Sequence, residues 1–138
     1  PGTDGAKMSK SKGNTIDPFA DAKTLKKAIN KQIITDATPL EDPKDPNSSV
    51  VHQLYSLVAS PADAAEMATK LRAGGYGWGH AKKDLLEALV DGFAEERDTF
   101  NRYMADLPAL DAELAKGADK ARVVASATVS RLRTALGY

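Results

Sequence analysis

Residues 60–75 read Ser60-Pro61-Ala62-Asp63-Ala64-Ala65-Glu66-Met67-Ala68-Thr69-Lys70-Leu71-Arg72-Ala73-Gly74-Gly75, a stretch that carries both ends of a helix. Ser60 supplies an N-cap oxygen, Pro61 occupies the first helical position, where its missing N–H costs nothing, and Asp63 meets the positive end of the helix dipole. Ala64, Met67, Ala68 and Leu71 recur at the spacing of one buried face. Lys70 and Arg72 suit the last turn, and Gly74-Gly75 stop the helix.

The same grammar extends in both directions. Downstream, the apolar positions Leu85, Leu86, Leu89, Val90, Phe93, Phe100, Tyr103 and Met104 predict one long helix over 79–105. Gly92 lies inside it at a cost of ~1 kcal/mol relative to Ala, which close helix–helix contact would explain. Leu107-Pro108 breaks the chain. A short helix over 109–116 follows, Gly117 breaks again, and a last helix runs over 118–136 on a stripe of Ala121, Val124, Ala125, Thr128, Val129, Leu132 and Ala135. Upstream, Val51, Leu54, Tyr55 and Val58 predict a helix over 48–59. Residues 34–47 hold Pro39, Pro43 and Pro46 among acids and amides and read as an extended loop. Asp21 caps a helix of about ten residues with Leu25, Ala28 and Ile29 on its apolar face. Thr15 caps a short turn over Ile16 to Phe19. No strand pattern or repeat is present, so the fold class is all-α: a bundle of five or six helices.

Composition narrows the function classes. The chain has 138 residues, 42% hydrophobic and 28% charged, with a net charge of +0; it suits a single globular domain with no global field toward nucleic acid or membrane. With Cys at 0 and His at 2, disulfides, thiolate zinc sites and all-histidine metal cages are excluded. No apolar run is long enough to span a bilayer.

Residues 1–14 are polar and rich in Gly, Lys and Ser, and predict a mobile loop without an apolar anchor. The opening Pro1-Gly2-Thr3-Asp4-Gly5, with no initiator Met, reads as the middle of a loop and leads us to expect the C-terminal portion of something larger. Within this segment Lys7-Met8-Ser9-Lys10-Ser11, followed by Lys12, places three lysines and two hydroxyls in six residues. Such a cationic donor array suits a polyphosphate, although by composition alone a Lys/Ser/Gly stretch of this size is more often a solvated linker.

The string itself resembles, letter for letter, the KMSKS loop of class I aminoacyl-tRNA synthetases. Three further segments are similar to the tryptophanyl family among them: Ile33-Ile34-Thr35-Asp36 before the proline-rich loop, Arg72-Ala73-Gly74-Gly75-Tyr76-Gly77-Trp78-Gly79 with Ala81-Lys82-Lys83, and Leu114-Ala115-Lys116-Gly117-Ala118-Asp119-Lys120-Ala121. A tyrosyl-type synthetase and a non-catalytic helical RNA- or protein-binding module are the alternatives. The resemblance implies ATP-dependent activation of tryptophan and its transfer to tRNA(Trp). It implies that Lys7 and Lys10 grip the ATP phosphates, with Lys10 counting most in the transition state and magnesium sharing the charge. Ser9 and Ser11 would support the loop and contact phosphate, and the Met8 backbone would lie near the adenine. It divides the chain into 1–19, the loop and the end of a catalytic domain, and 20–138, a helical anticodon-binding domain. It further implies a cytoplasmic homodimer, joined through a Rossmann-type catalytic domain absent from this chain. The family's His-x-Gly-His is also missing, Gly79-His80 being only half of it, so the chain alone is expected to be inactive.

Two stretches are basic. Residues 1–31 carry seven lysines against three aspartates, and residues 116–133 carry five cations against Asp119. The resemblance reads these as tRNA-phosphate contacts, with Lys82, Lys83, Lys116, Lys120 and Arg122 as candidates and Tyr76 and Trp78 for stacking; the alternative is a solvated helix face. His52 and His80 read as plain surface residues.

Overall fold

A computed structural model describes all residues 1–138. It holds six α-helices and no strand: α1 (Ala22–Gln32), α2 (Val50–Val58), α3 (Pro61–Ala73), α4 (Trp78–Gly92), α5 (Ala94–Ala105) and α6 (Leu107–Leu136). The expected caps are in place. Asp21 accepts from Thr24 N, Ser49 from His52 N and Ser60 from Asp63 N, each satisfying a donor that the first turn leaves unpaired. The short turn before α1 is closed by Asp17, which accepts from Phe19 N, rather than by Thr15.

The chain separates into two compact units, Pro1–Arg97 and Asp98–Tyr138. The first has one core, built from Leu25 and Ile29 of α1, Ile33, Val50, Val51 and Leu54 of α2, Met67, Ala68 and Leu71 of α3, and Ala81, Leu85 and Leu89 of α4. Helix α4 packs on both α1 and α2, and α2 on α3. The second unit contains α6, whose Asp106 caps Ala109 N. No residue of α6 is buried, so the stripe of Val124, Val129 and Leu132 is exposed rather than packed.

Two helix boundaries differ from the sequence reading. The expected long helix over 79–105 is two helices, broken at Phe93, whose backbone leaves the helical region at φ −116° and ψ 21°. Arg97 holds this break: its guanidinium donates to the carbonyls of Leu89 and Val90 at the end of α4 and to Pro18. Gly92 closes α4 with nothing within 4 Å of where a Cβ would stand, so helix contact is not its reason. Conversely, Gly117 does not break the chain, and α6 runs through it as one helix of 30 residues. Its side is open there, and favourable neighbours on both sides carry the turn at the modest cost of one glycine.

Loop 34–47 is organised around a buried lysine. The Lys44 ammonium donates to the carbonyls of Pro39, Leu40 and Asp42 at 2.7, 3.2 and 2.8 Å. The loop then presses on the α3–α4 corner, where Gly75 N donates to Leu40 O. A Cβ on Gly74, which sits at φ +79°, would collide with Glu41 O, so glycine is needed there twice over. The two aromatic residues of this corner face into the first unit. Tyr76 Oη donates to Asp84 at 2.5 Å and Trp78 Nε1 to Asp36 at 3.0 Å. Burial, and then the bond to Asp84, push the Tyr76 phenol far above its usual range. His52, expected on the surface, is half-buried, with Nε2 3.1 Å from Ala64 O. His80 Nδ1 accepts from Gly77 N and its ring stacks on Tyr76.

No helix is long and apolar enough to cross a membrane.

The division into a packed unit and an exposed helix predicts a contrast in stability. Leu85→Ala, at 1% exposure, should lower the unfolding free energy by about 2–5 kcal/mol. Val123→Ala, at 73% exposure, should change it by less than ~0.5 kcal/mol. Urea titration of both variants checks this; equal losses would contradict the assigned core.

Candidate polyphosphate loop

The segment 7–12 sits on a hydrogen-bonded base that composition did not reveal. Asn14, 3% exposed, is the hub of that base. Its Oδ1 accepts from Ser9 N at 2.7 Å, and its Nδ2 donates to Asp4 Oδ1 at 2.7 Å and to Lys7 O at 3.2 Å. One side chain thereby holds the backbone on both sides of Met8. Asp4 also accepts from Ala6 N, and the bond from Asn14, the largest influence, holds its carboxyl below the usual carboxylate range. A Cβ on Gly2 would overlap Asn14, so the glycine there makes room for the hub.

The base is anchored to the helices in two ways. Thr3 N donates to Asn14 O, and Thr3 O accepts from Ile34 N just beyond α1, both at 2.9 Å. Met8 faces an apolar cavity of about 120 Å³ whose walls include Ile16, Leu54, Leu57, Leu85 and Phe93. The expectation of a loop with no apolar contact is therefore corrected. Buried Thr3 and Asn14 fasten it, and Met8, 39% exposed, lines the rim of the cavity.

Above this base the cations face water. Lys7 and Lys10 are exposed, as is Lys12. Lys10–Lys12 form a single 3-10 turn ended by Gly13 at φ +67°, a left-handed conformation suited to glycine. Ser9 Oγ lies 2.9 Å from Ser11 Oγ, so the two hydroxyls share a proton-donor role on one side of the turn. A rigid backbone carrying flexible ammonium groups can meet several phosphate oxygens at once. No group of three or more His, Asp or Glu side chains is placed to hold a metal ion.

The candidate RNA contacts have separate locations. Lys82 is buried, and its ammonium donates to Ile33 O at 2.8 Å and Asn30 O at 3.3 Å. It satisfies the carbonyls at the end of α1, which turns the charge inward; burial pushes its pKa down. Lys83 pairs with Glu87, Lys116 with Glu113 and Arg122 with Asp119, each on its own helix and exposed. Lys120 is exposed. Tyr76 and Trp78, both half-buried, are tied at their polar ends to Asp84 and Asp36. Asn14, Asp4 and Thr3 were missed because each is one short polar residue in a polar loop. Their signal is the return of the chain to the same place after ten residues, which periodicity does not register.

No family model matches the chain. It is 45% identical over 137 residues to the tryptophan–tRNA ligase of Rhodopirellula baltica, an alignment covering 99% of this chain and 42% of that protein. It is 36% identical over 137 residues to the tryptophan–tRNA ligase of Fusobacterium nucleatum, again covering 99% of this chain and 42% of the relative. Among solved structures, tryptophanyl-tRNA synthetase from Campylobacter jejuni complexed with ADP and tryptophan superposes with a TM-score of 0.87 at 39% identity, over 99% of this chain and 43% of that one. The chain thus spans less than half the length of the relatives it matches.

The hub predicts a charge-swap result. Asn14→Asp would set a second carboxylate against Asp4 and should speed amide exchange at Ser9 and Ala6 at least tenfold. Adding Asp4→Asn restores a donor–acceptor pair of reversed polarity and should recover most of the protection. Hydrogen–deuterium exchange at neutral pH checks both; unchanged exchange in Asn14→Asp would remove Asn14 from its assigned place.

Proposed function

Because the chain is a homologue of the tryptophan–tRNA ligases, we propose that it is the part of such a synthetase that grips the ATP phosphates and meets the tRNA. The supporting observation is the intact Lys7-Met8-Ser9-Lys10-Ser11 run standing exposed on the Asn14 base. The nucleotide and amino acid bound by the Campylobacter jejuni relative fit the same reading.

The reaction is attack of the tryptophan carboxylate on the α-phosphorus of ATP, with pyrophosphate leaving, followed by attack of a 3′-terminal ribose hydroxyl of tRNA(Trp) on the adenylate's carbonyl carbon, with AMP leaving. Negative charge grows on the departing pyrophosphate. Lys7 and Lys10 answer it, with Lys10 contributing most in the transition state, where a well-placed donor is worth ~10²–10³ in rate. The Met8 backbone would lie on the adenine side, as the resemblance implies. Magnesium would arrive with the nucleotide and share the phosphate charge, as the resemblance implies. In this reading residues 1–19 complete a catalytic domain and 20–138 form the helical part that approaches the anticodon. Exposed Lys83, Lys116, Lys120 and Arg122 are its RNA-facing candidates. The working form is a cytoplasmic homodimer joined through the catalytic domain, and this chain alone does not catalyse adenylate formation.

The test is an ATP titration of the chain followed by backbone amide shifts. Shifts should concentrate on residues 7–13, and Lys7→Ala and Lys10→Ala should each weaken binding about tenfold, the value of one charge-assisted hydrogen bond. Tryptophan-dependent ATP–pyrophosphate exchange should be absent. Shifts confined to other helices, or measurable exchange, would contradict the reading.

A further inference from the structure

Helix α1 carries an arrangement of charge that works against its own stability. Lys23, Lys26, Lys27 and Lys31 are all exposed, while Leu25 and Ile29 bury the opposite face. No acid lies within Ala22–Gln32. The one adjacent carboxylate, Asp21, caps the helix through Thr24 N and Thr24 Oγ1. Lys23/Lys27 and Lys27/Lys31 are like-charge pairs at i,i+4, which oppose helix formation. Lys23 also stands in the first turn, where the dipole disfavours a cation.

Elsewhere on the surface, Lys70, Lys83, Lys116 and Arg122 each lie within 3.5 Å of a carboxylate on their own helix. None of the α1 lysines has an ion-pair partner, and they line one open furrow together with Asn30, Thr24 and the carboxylate of Asp21, which is occupied in capping the helix. Of the other exposed cations, Arg72, Lys120, Arg131 and Arg133 also form no ion pair, but none of them stands in an acid-free row of four. We propose that this face of α1 is a binding site for an RNA phosphate backbone, and that Lys23, Lys27 and Lys31 are its principal contacts.

Its geometry fits that ligand. Four residues of α-helix rise about 6 Å, so the three ammonium groups form a row about 12 Å long, able to follow several successive phosphates. Contacts of this kind position an RNA without reading its sequence. Lysine stems leave the charge mobile, which suits a flexible polyanion better than a single fixed anion. The inference rests on the tRNA-binding reading above but assigns the contact to α1, a helix none of the named RNA candidates occupies.

The experiment is an anisotropy titration of the chain with a tRNA(Trp) transcript at 50 and 200 mM salt, alongside phosphatidylserine vesicles as a second polyanion. The Lys23→Gln/Lys27→Gln/Lys31→Gln variant should lose at least tenfold in affinity at 50 mM salt. Its slope of log K against log salt should be shallower by about 2–3, the signature of three lost phosphate contacts. The corresponding triple Lys→Arg variant should bind like the unaltered chain, and Lys70→Gln/Arg72→Gln on α3 should change affinity less than twofold. Circular dichroism confirms that α1 survives in each. Unaltered binding and slope in the glutamine variant would overturn the α1 assignment while leaving RNA binding intact. No tRNA binding by the unaltered chain at 50 mM salt would overturn both, and capture by vesicles in place of RNA would overturn the choice of ligand.

Discussion

A helix that ends inside a core leaves carbonyls without partners, and the rest of this molecule is arranged around how α1 meets that requirement. Lys82 of α4 reaches the last carbonyls of α1, donating to Ile33 O and Asn30 O. The cation also suits the negative end of the helix dipole, which offsets part of the cost of burying it. With α1 ended there, the next peptide is free to turn outward, and Ile34 N donates to Thr3 O. Thr3 N continues to Asn14 O, and the Asn14 side chain takes Ser9 N and Lys7 O. A line of polar contacts therefore runs from the core helix α4 to the backbone on either side of Met8. The lysines of the loop stand on a foundation that begins beneath α1.

Lysine has three distinct physical roles here, separated by what surrounds the ammonium group. Lys44 and Lys82 are buried and close backbone carbonyls, acting as internal braces. Lys70, Lys83 and Lys116 are exposed and paired along a helix, where an ion pair contributes little and screens readily. Lys7 and Lys10, with the row on α1, are exposed without an acid to neutralise them. This third group divides again into a looped cluster at 7–12 and a straight row on α1.

Much of this was legible from residues. The caps Asp21 and Ser60, the stop at Gly74-Gly75 and the apolar faces of α1 to α4 follow from local rules that tertiary packing did not override. The break at Phe93 was hidden because its cause is Arg97, whose guanidinium joins Pro18 to the end of α4 across 79 positions of sequence. Gly117 misled in the opposite direction, since a single glycine weakens a helix without ending it. Lys82 looked like its neighbour Lys83, and nothing in the letters distinguishes the one that points inward. The KMSKS string marked the candidate loop, but the support from Asp4, Asn14 and Met8 depends on chain return and cavity shape. Local composition is silent about both.

The account's central claim is that two sets of lysines serve two different ligands. Competitive lysine acylation read by mass spectrometry addresses it in one measurement on the intact chain. ATP should protect Lys7 and Lys10 while leaving Lys23, Lys27 and Lys31 as reactive as before, and a tRNA(Trp) transcript should protect the α1 row. Uniform labelling of all five with either ligand present, or the same residues protected by both, would contradict it.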